Sequence, residues 1–242
     1  MAQNTHIQSL RRAFKRTFLQ DVSATVTFAD TDLLNHIEAL KAFLGDRFRI
    51  SDNVNMPKLS AIDVVSENRD EKFHFATNSA SVTINANLYH FYEDSLEPRI
   101  NDIISYLKVL GISDVNTFTI QKRNIFPGTS SNAFDVWRKA INETFKEENI
   151  LKLVSTPNIQ HKPFKMSIEG VAVTEWGELR VPFLIDVPDK DNFRFQLDLV
   201  ATSKPVSIKD LITMGTRMNN CIFKEFTKII SDKLLDLLQK EE

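Results

Sequence analysis

Hydrophobic periodicity predicts the same order of secondary-structure elements twice along this chain. Residues from about Phe18 to Leu110 predict a strand, a helix, three strands and a second helix, and residues from Val115 to Leu238 predict that order again. The repeat favours an α+β fold, with an antiparallel sheet, helices on one face and internal duplication of a β-α-β-β-β-α unit. The halves, 1–112 and 113–242, are expected to pack as one unit.

The composition is that of a soluble globular protein. Of 242 residues, 42% are hydrophobic and 26% are charged, and the formal net charge is -2. A pI near 6.2 provides no overall attraction to nucleic acid. The single Cys221 excludes a disulfide framework and a cysteine zinc cluster by count. No run of residues has the pattern of a membrane span or a secretory signal, so we expect a cytoplasmic protein.

The N-terminal segment has the pattern of a basic amphipathic helix. Its apolar residues recur at helical spacing from Ile7 to Phe18, and Arg11, Arg12, Lys15 and Arg16 lie between them. We expect this helix to pack on its own domain with a solvated basic face. Docking on an anionic membrane or an acidic partner is the alternative.

The first half opens with a strand and a helix. Alternation from Val22 to Phe28 predicts the strand, and the apolar stripe from Leu33 to Leu44 predicts the helix. Asp30 or Thr31 would cap this helix and Gly45 would end it.

A hairpin is predicted further along the first half, with its loop at Thr77 to Ala80. In that register Phe73 faces Ile84 and Phe75 faces Val82. These apolar residues share one face of the sheet, and His74 and His90 lie on opposite faces. The polar side chains form a candidate binding surface on the other face: His74, Thr83, Asn85, Asn87 and Tyr89.

The second half repeats the pattern. Alternation from Phe118 to Ile125 predicts its first strand, and spaced apolar residues from Phe134 to Phe145 predict its first helix. The following strand approaches Gly170, where a bulge is expected, and a turn is expected at Trp176-Gly177. The last strand is predicted from Phe193 to Leu199.

A further helix is predicted at the end of each half. Residues Glu93 to Leu110 predict one, with Pro98 tolerated in its first turns. Residues Ser207 to Gln239 predict a single continuous helix, on the order of 50 Å long at roughly 1.5 Å per residue. Such a helix must bury one side against a broad sheet. The arrangement can enclose an apolar pocket or present a concave surface.

The loop from Pro127 to Asn132 resembles an anion cradle. Gly128 and the hydroxyls of Ser130 and Ser131 would precede a helix, whose free N–H groups attract negative charge. Helix capping requires the same residues and is favoured, because no Walker lysine follows the loop and no dinucleotide glycine pattern is present.

The histidines show no metal-ligand spacing, and no motif requires a cofactor. His74 is the candidate for acid–base chemistry, although a solvated histidine on a sheet face is favoured. Cys221 is interpreted as a packing residue in a helix. Asn219, in the same helix, is a candidate polar participant in a site beneath it.

The C-terminal stretch from Met218 to Ile222, followed by Phe226 and Ile230 and preceded by the strand Phe193–Val200, resembles a known pattern. It is similar to the ending of a sporadically distributed prokaryotic family of about this length, whose activity is unknown. In that family a leucine-histidine pair lies near the middle of the last helix, and Asn219 stands at the position of the histidine.

The same family has a mid-chain strand that ends in isoleucine-asparagine. The segment from Thr117 to Asn124 is similar to it, with Gln121 and Arg123 in place of the family's usual arginine pattern. The resemblance implies an accessory gene of patchy occurrence, and it implies no activity.

No convergent set of titratable residues is readable from the sequence. We therefore predict a non-enzymatic protein that binds a partner protein or a small ligand on its concave face or between its halves. One alternative is an enzyme of the hydrolase or cyclase kind with an apolar pocket under the C-terminal helix, using His74 or Asn219. Another is a nucleic-acid-associated module using Arg11 to Arg16 and Lys122-Arg123. Self-association as a homodimer is left open.

Overall fold

The computed structural model describes residues 18–32, 49–50, 61–129, 164–187, 192–230 and 232–239. In these ranges the chain forms a nine-stranded antiparallel sheet with helices packed against it. The α+β fold predicted from the sequence is confirmed, with the antiparallel sheet and a long C-terminal helix.

The first half contributes short strands and one long helix. Its elements are β1 Leu19–Thr27, β2 Arg49–Ile50, β3 Ala61–Val65, β4 Glu71–Ala76, β5 Ser79–Asn85 and α1 Glu97–Val109. A π-helical turn at Tyr92–Leu96 leads into α1. Pro98 lies in the first turn of α1, where its missing N–H leaves no intrahelical bond unmade. The helix predicted from Glu93 to Leu110 is thus confirmed.

The second half contributes longer strands and the C-terminal helices. Its elements are β6 Asp114–Val115, β7 Thr117–Thr129, β8 Phe164–Val173, β9 Gly177–Val187, β10 Asn192–Ser203, β11 Val206–Ser207, α2 Leu211–Ile229 and α3 Asp232–Gln239. A single 3₁₀ turn, Ile208–Asp210, precedes α2. Strands β6 and β11 pair with each other in a separate small ladder.

The order of the strands in the sheet is symmetric about its centre. The order is β2-β3-β4-β5-β1-β7-β10-β9-β8. From the centre outward, the first half presents β1, β5, β4, β3 and β2, and the second half presents β7, β10, β9 and β8. Each half thus has its first sheet strand at the centre and then runs from its last sheet strand back through the others. A helix follows the last strand of each half. This correspondence supports the predicted duplication, although a common origin of the halves stays a prediction.

The core lies between one face of the sheet and the two long helices. Cross-strand rows of apolar residues run the width of the sheet, for example Val64, Phe73, Val82, Ala24, Ile120, Ala201 and Leu179. All seven are buried. Helix α1 covers this face through Tyr106, whose ring centroid lies 4.5 Å from that of Phe75. Helix α2 covers it through Gly215, which lies against Tyr92 and Phe118.

The predicted hairpin forms with a tighter turn than expected. Ala76 pairs with Ser79, so the turn is Thr77-Asn78 and the register is shifted by two residues. Phe73 consequently faces Val82, rather than Ile84. Because side chains alternate with a period of two, the shift leaves every residue of the hairpin on its predicted face.

Strand β5 ends earlier than predicted. A turn follows Asn85, so Asn87, Tyr89 and His90 do not continue on the two faces of the sheet. The prediction that His74 and His90 occupy opposite faces is therefore wrong, since His90 lies outside the strand. The bulge predicted at Gly170 is also wrong, because β8 and β9 pair without interruption from Phe164 to Val173. A register shift occurs instead in β1, between Leu19 and Asp21.

The single C-terminal helix predicted from Ser207 to Gln239 is divided. Ile230 has extended backbone angles, φ -83° and ψ 147°, and ends α2. Both Ile230 and Leu238 are nevertheless buried, so the break allows α3 to return to the core. The basic N-terminal helix and the helices predicted from Leu33 to Leu44 and from Phe134 to Phe145 lie outside the described residues, as does the turn predicted at Gly45.

Candidate functional site

The face of the sheet opposite α1 and α2 is polar. We call this surface the polar face, and none of the described helices lies on it. It carries cross-strand rows of hydroxyl, amide and charged side chains: Asp63, His74, Ser81, Thr25, Thr119 and Thr202 in one row, and Lys72, Thr83, Ser23 and Gln121 in the next. Hydrogen bonds join hydroxyls across strands, at 2.7 Å between Thr27 and Thr117. The polar groups thus hold one another in fixed positions.

A cluster of partly buried charge lies at the centre of the polar face. Asp21 on β1, Arg123 on β7 and Asp198 on β10 are neighbours in one cross-strand row, and we call them the Asp–Arg–Asp cluster. The Arg123 guanidinium lies 3.4 Å from Asp21 Oδ2 through Nη1 and 3.9 Å from Asp198 Oδ1 through Nε. Asp198 is only 7% exposed. One guanidinium thus faces two carboxylates, which leaves a formal excess of one negative charge.

Amide side chains hold the Asp198 carboxylate in place. Gln121 Nε2 and Gln196 Nε2 donate hydrogen bonds to Asp198 Oδ2 at 3.1 and 3.0 Å. The other oxygen, Asp198 Oδ1, and Arg123 Nε are both buried and lack a hydrogen-bond partner in the described part of the chain. Neighbouring amide groups therefore hold the Asp198 carboxylate in place, whereas the distance between Asp198 and Arg123 is long for an ion pair.

The backbone beside Asp198 is also irregular. Strands β9 and β10 pair up to Leu197 and Phe183, and pairing resumes at Val200 and Arg180. Pro182 stands opposite Asp198 in this register, and proline has no N–H to donate to the ladder. The gap in the β9–β10 ladder follows from this proline, which places an under-bonded stretch of backbone next to the buried carboxylate.

Burial raises the pKa of Asp21 above its ordinary value. The positive charge of Arg123 opposes this effect and the negative charge of Asp198 adds to it. Burial of a carboxylate with insufficient compensation destabilises its charged form. The sheet centre therefore retains an ionised group at an energetic cost, which is a common property of functional sites.

We expect the substitution Asp21→Asn to stabilise the fold at neutral pH. Because the pKa of Asp21 is raised in the folded state, folding stability falls as the pH rises from the unfolded pKa through the folded pKa. The neutral asparagine removes that loss, so the urea midpoint at pH 7 should rise. At a pH below the ordinary aspartate range both chains carry a neutral side chain, and the advantage should disappear.

The exposed Asp236→Asn substitution on α3 serves as the matched control and should leave the midpoint unchanged. A lower midpoint for Asp21→Asn at pH 7 would contradict the prediction, because it would mean that the ion pair with Arg123 outweighs burial.

His74 lies toward one side of the polar face, where Asp63 fixes its ring. His74 Nδ1 is 2.7 Å from Asp63 Oδ1, and Lys72 Nζ is 2.9 Å from Asp63 Oδ2. Burial acts to raise the pKa of Asp63, but His74 and Lys72 together outweigh it and the net pKa is lowered. Ser81 stands opposite His74 on β5, so the row has the residue types of a hydrolytic triad. Within the described residues, no hydrogen bond joins Ser81 to His74.

Only some of the predicted site residues lie together. His74, Thr83 and Asn85 share the polar face, where Asn85 Nδ2 donates to Asp70 Oδ1 at 3.3 Å. Asn87 is exposed in the turn after β5. Tyr89 lies on the other side of the sheet, where Lys122 Nζ donates to its hydroxyl at 2.8 Å.

The predicted anion cradle does not begin as a loop. Gly128 lies in β7, where it pairs with Phe193 of β10, and the strand continues to Thr129. The prediction that Gly128 belongs to a turn before a helix is therefore wrong. Ser130 and Ser131 lie outside the described residues.

Asn219 is buried on α2, with 1% of its surface exposed. Because α2 covers the apolar face of the sheet and His74 lies on the polar face, these two residues cannot act in one site.

Cys221, on the same helix, is half-buried. Burial raises the pKa of its thiol, and the negative charge of Glu225 raises it further. The raised pKa disfavours the reactive thiolate.

Sequence reasoning missed the Asp–Arg–Asp cluster. Its members come from three separate strands and are brought together only by the order of those strands in the sheet. One signal was available: each is a charged residue at an alternating position in a strand that buries its other face.

The described residues contain no group of three or more histidine, cysteine, aspartate or glutamate side chains arranged to hold a metal ion. In the same ranges, no helix combines the length and the apolar character needed to cross a bilayer.

No protein-family profile matches the chain, and no curated protein is significantly similar to it.

Proposed function

We propose that this chain is a non-enzymatic binding protein that recognises a partner protein on its polar face. The observation that carries the proposal is the Asp–Arg–Asp cluster, in which charge is retained at the centre of a broad sheet. If these positions served only the stability of the fold, neutral residues would be sufficient, because a buried ion pair contributes little net stability. Retention of the cluster is explained if a partner contacts it.

The charge of the cluster indicates the chemistry of the partner. Two aspartates and one arginine leave one excess negative charge, and the side chains of Asp21 and Arg123 are 17% and 40% exposed. A lysine or arginine side chain would supply both the positive charge and hydrogen-bond donors. We therefore propose a partner that presents a basic side chain to the centre of the polar face.

The two other functions considered from the sequence receive less support. A hydrolytic site would use the row Asp63, His74 and Ser81, but in the described part of the chain no hydrogen bond joins Ser81 to His74 to activate it. A nucleic-acid platform would display basic and aromatic side chains. The described positions of the polar face carry no phenylalanine, tyrosine or tryptophan, and the central cluster is negative. We also propose a cytoplasmic location, because the chain has a single cysteine.

Native mass spectrometry of the protein purified gently from its natural host tests the proposal. Thr83→Arg introduces a large charged side chain on the polar face, between Lys72 and Ser23. Asn101→Arg introduces the same side chain at an exposed position on α1 and serves as the control. Circular dichroism would establish that both variants keep the fold.

We expect a protein of defined mass to accompany the wild type and Asn101→Arg, and to be lost from Thr83→Arg. High salt should weaken the complex if a basic side chain meets the cluster. Equal retention by both variants would place the interface elsewhere. A small added mass, or no added mass, would contradict a partner protein, and the small mass would indicate a ligand.

A further inference from the structure

The edge of the sheet formed by β8 offers a second interaction surface, independent of the polar face. Strand β8 is the last in the strand order, so one side of its backbone has no neighbouring strand among the described residues. Residues 169–173 are exposed on both faces of the sheet, with Val171 56% and Val173 84% exposed. The edge is therefore accessible along this stretch.

The hydrogen bonds of the β8–β9 hairpin identify which backbone groups point outward. Thr174 N donates to Gly177 O at 2.7 Å, so these two residues form a hydrogen-bonded pair. In an antiparallel ladder such pairs alternate with non-bonded pairs. The even-numbered residues of β8, including Gly170 and Ala172, therefore bond to β9. The odd-numbered residues direct their N–H and C=O groups to the outside: Ser167, Glu169, Val171 and Val173.

This edge lacks several of the features that usually prevent edge pairing. Natural edge strands are short, bulged or interrupted by proline or charged residues, especially lysine. Strand β8 spans 10 residues with unbroken register, and its lysine, Lys165, lies near its start. The segment from Ser167 to Val173 contains no proline and no lysine, and its one charged residue, Glu169, forms an ion pair with Arg180 of β9. The long unprotected edge is thus suited to accept another strand.

Gly170 is not required by the fold of a single chain. A Cβ atom added at Gly170 would meet nothing within 4 Å. Because side chains of a strand point to the faces of the sheet, this open space lies above the sheet and not at its edge. A side chain introduced at Gly170 therefore has room within the single chain, which makes the position suitable for testing an interface at this edge.

We propose that β8 pairs antiparallel with β8 of a second copy, about a two-fold axis at Gly170. This register places Glu169 opposite Val171 and Ser167 opposite Val173 of the other copy. Each residue whose N–H and C=O point away from β9 then lies opposite another such residue, so the two backbones can form hydrogen bonds. The two Glu169 carboxylates do not face each other. A two-fold axis requires a self-complementary surface, and an antiparallel edge of this kind is one. The two sheets become continuous, with both polar faces on the same side.

Sedimentation velocity on the full chain tests this interface with Val171→Pro. Proline removes the outward N–H of Val171 without breaking a bond to β9, because Val171 belongs to a non-bonded pair in the hairpin. Val171→Thr keeps the N–H and the branched shape and is the matched control. We expect a wild-type dimer, an unchanged dimer for Val171→Thr, and a dissociation constant raised at least about tenfold for Val171→Pro.

A second pair of variants tests the position of the axis. Gly170→Glu places like charges opposite each other at the axis, whereas Gly170→Gln is neutral and of the same size, and the single chain has room for both. The glutamate variant should dissociate more readily than the glutamine variant. A wild type that stays monomeric, or a dimer that Val171→Pro leaves intact with its fold preserved, would overturn the proposal. Binding of a different protein at this edge, in place of self-association, would also overturn it.

Discussion

Replacing Gly177 with alanine is expected to lower the free energy of unfolding by about 3 kcal/mol, because the new methyl group has no space. Gly177 begins β9 at the turn after β8, where a Cβ atom would lie 2.0 Å from the carbonyl oxygen of Thr202 and 2.9 Å from the Cα of Ser203. Both are backbone atoms of the neighbouring strand β10, so they cannot move aside as a side chain could. The φ angle of +157° adds to the cost.

Gly170→Ala is the matched control in the same hairpin. A Cβ atom there meets nothing within 4 Å, so the variant should lie within about 1 kcal/mol of the wild type, on the stabilising side because alanine restricts the unfolded chain. Urea unfolding followed by circular dichroism measures both. Similar midpoints for the two variants would show that β10 can shift away from β9 at little cost.

The substitution Arg99→Met is expected to cost about 3–5 kcal/mol, because it leaves a buried carboxylate without its charged partner. Arg99 Nε on α1 donates to Glu71 Oε1 on β4 at 2.7 Å, and the side chains are 27% and 10% exposed. Glu71 points to the apolar face of the sheet, in the row of Ile84 and Val22. Removing the guanidinium therefore isolates a charge within the core.

A double-mutant cycle separates the lost ion pair from other effects of this substitution. Adding Glu71→Gln to Arg99→Met replaces the isolated charge by a neutral amide and should recover part of the loss. Lys228→Met breaks the exposed pair with Glu225 and should cost no more than about 0.5 kcal/mol. Additive effects of the two substitutions at Arg99 and Glu71 would mean that the pair contributes nothing specific.

The two charged pairs of the sheet have different consequences. Glu71 and Arg99 join a helix to the apolar face through a short bond, so this pair contributes to the attachment of α1. The Asp–Arg–Asp cluster lies on the opposite face with longer separations, and the raised pKa of Asp21 shows that burial outweighs its attraction to Arg123. Retention of a cluster with this cost fits the proposed binding function better than a role in stability.

The hairpin of β4 and β5 illustrates what local pattern can predict. Alternation identified both strands and the face of each residue, because side-chain direction depends only on position within a strand. It did not identify the turn, since Thr77-Asn78 carries no strong turn signal and a loop of four residues fits the same alternation. It also missed the end of β5 at Asn85, which depends on contacts made by the following turn.

The candidate site was less predictable than the strands. His74, Thr83 and Asn85 share a hairpin, so their common face followed from the sequence. Asp21 and Arg123 are distant in the chain and become neighbours only when β1 pairs with β7. His74 or Asn219 was predicted to take part in a pocket under the C-terminal helix, but only Asn219 lies on that side of the sheet, because α2 packs on the apolar face.

The sequence by itself determined the kind of the long strands and long helices, the polar or apolar side of these strands, and the repeated order of elements. These properties depend on hydrophobic period and on residues near in the chain, which act whether or not the rest has folded. The order of strands, the division of the C-terminal helix at Ile230 and the cluster at the sheet centre were decided only by the tertiary structure. Each results from contacts between residues far apart in the chain, and their free energy exists only once the sheet has assembled.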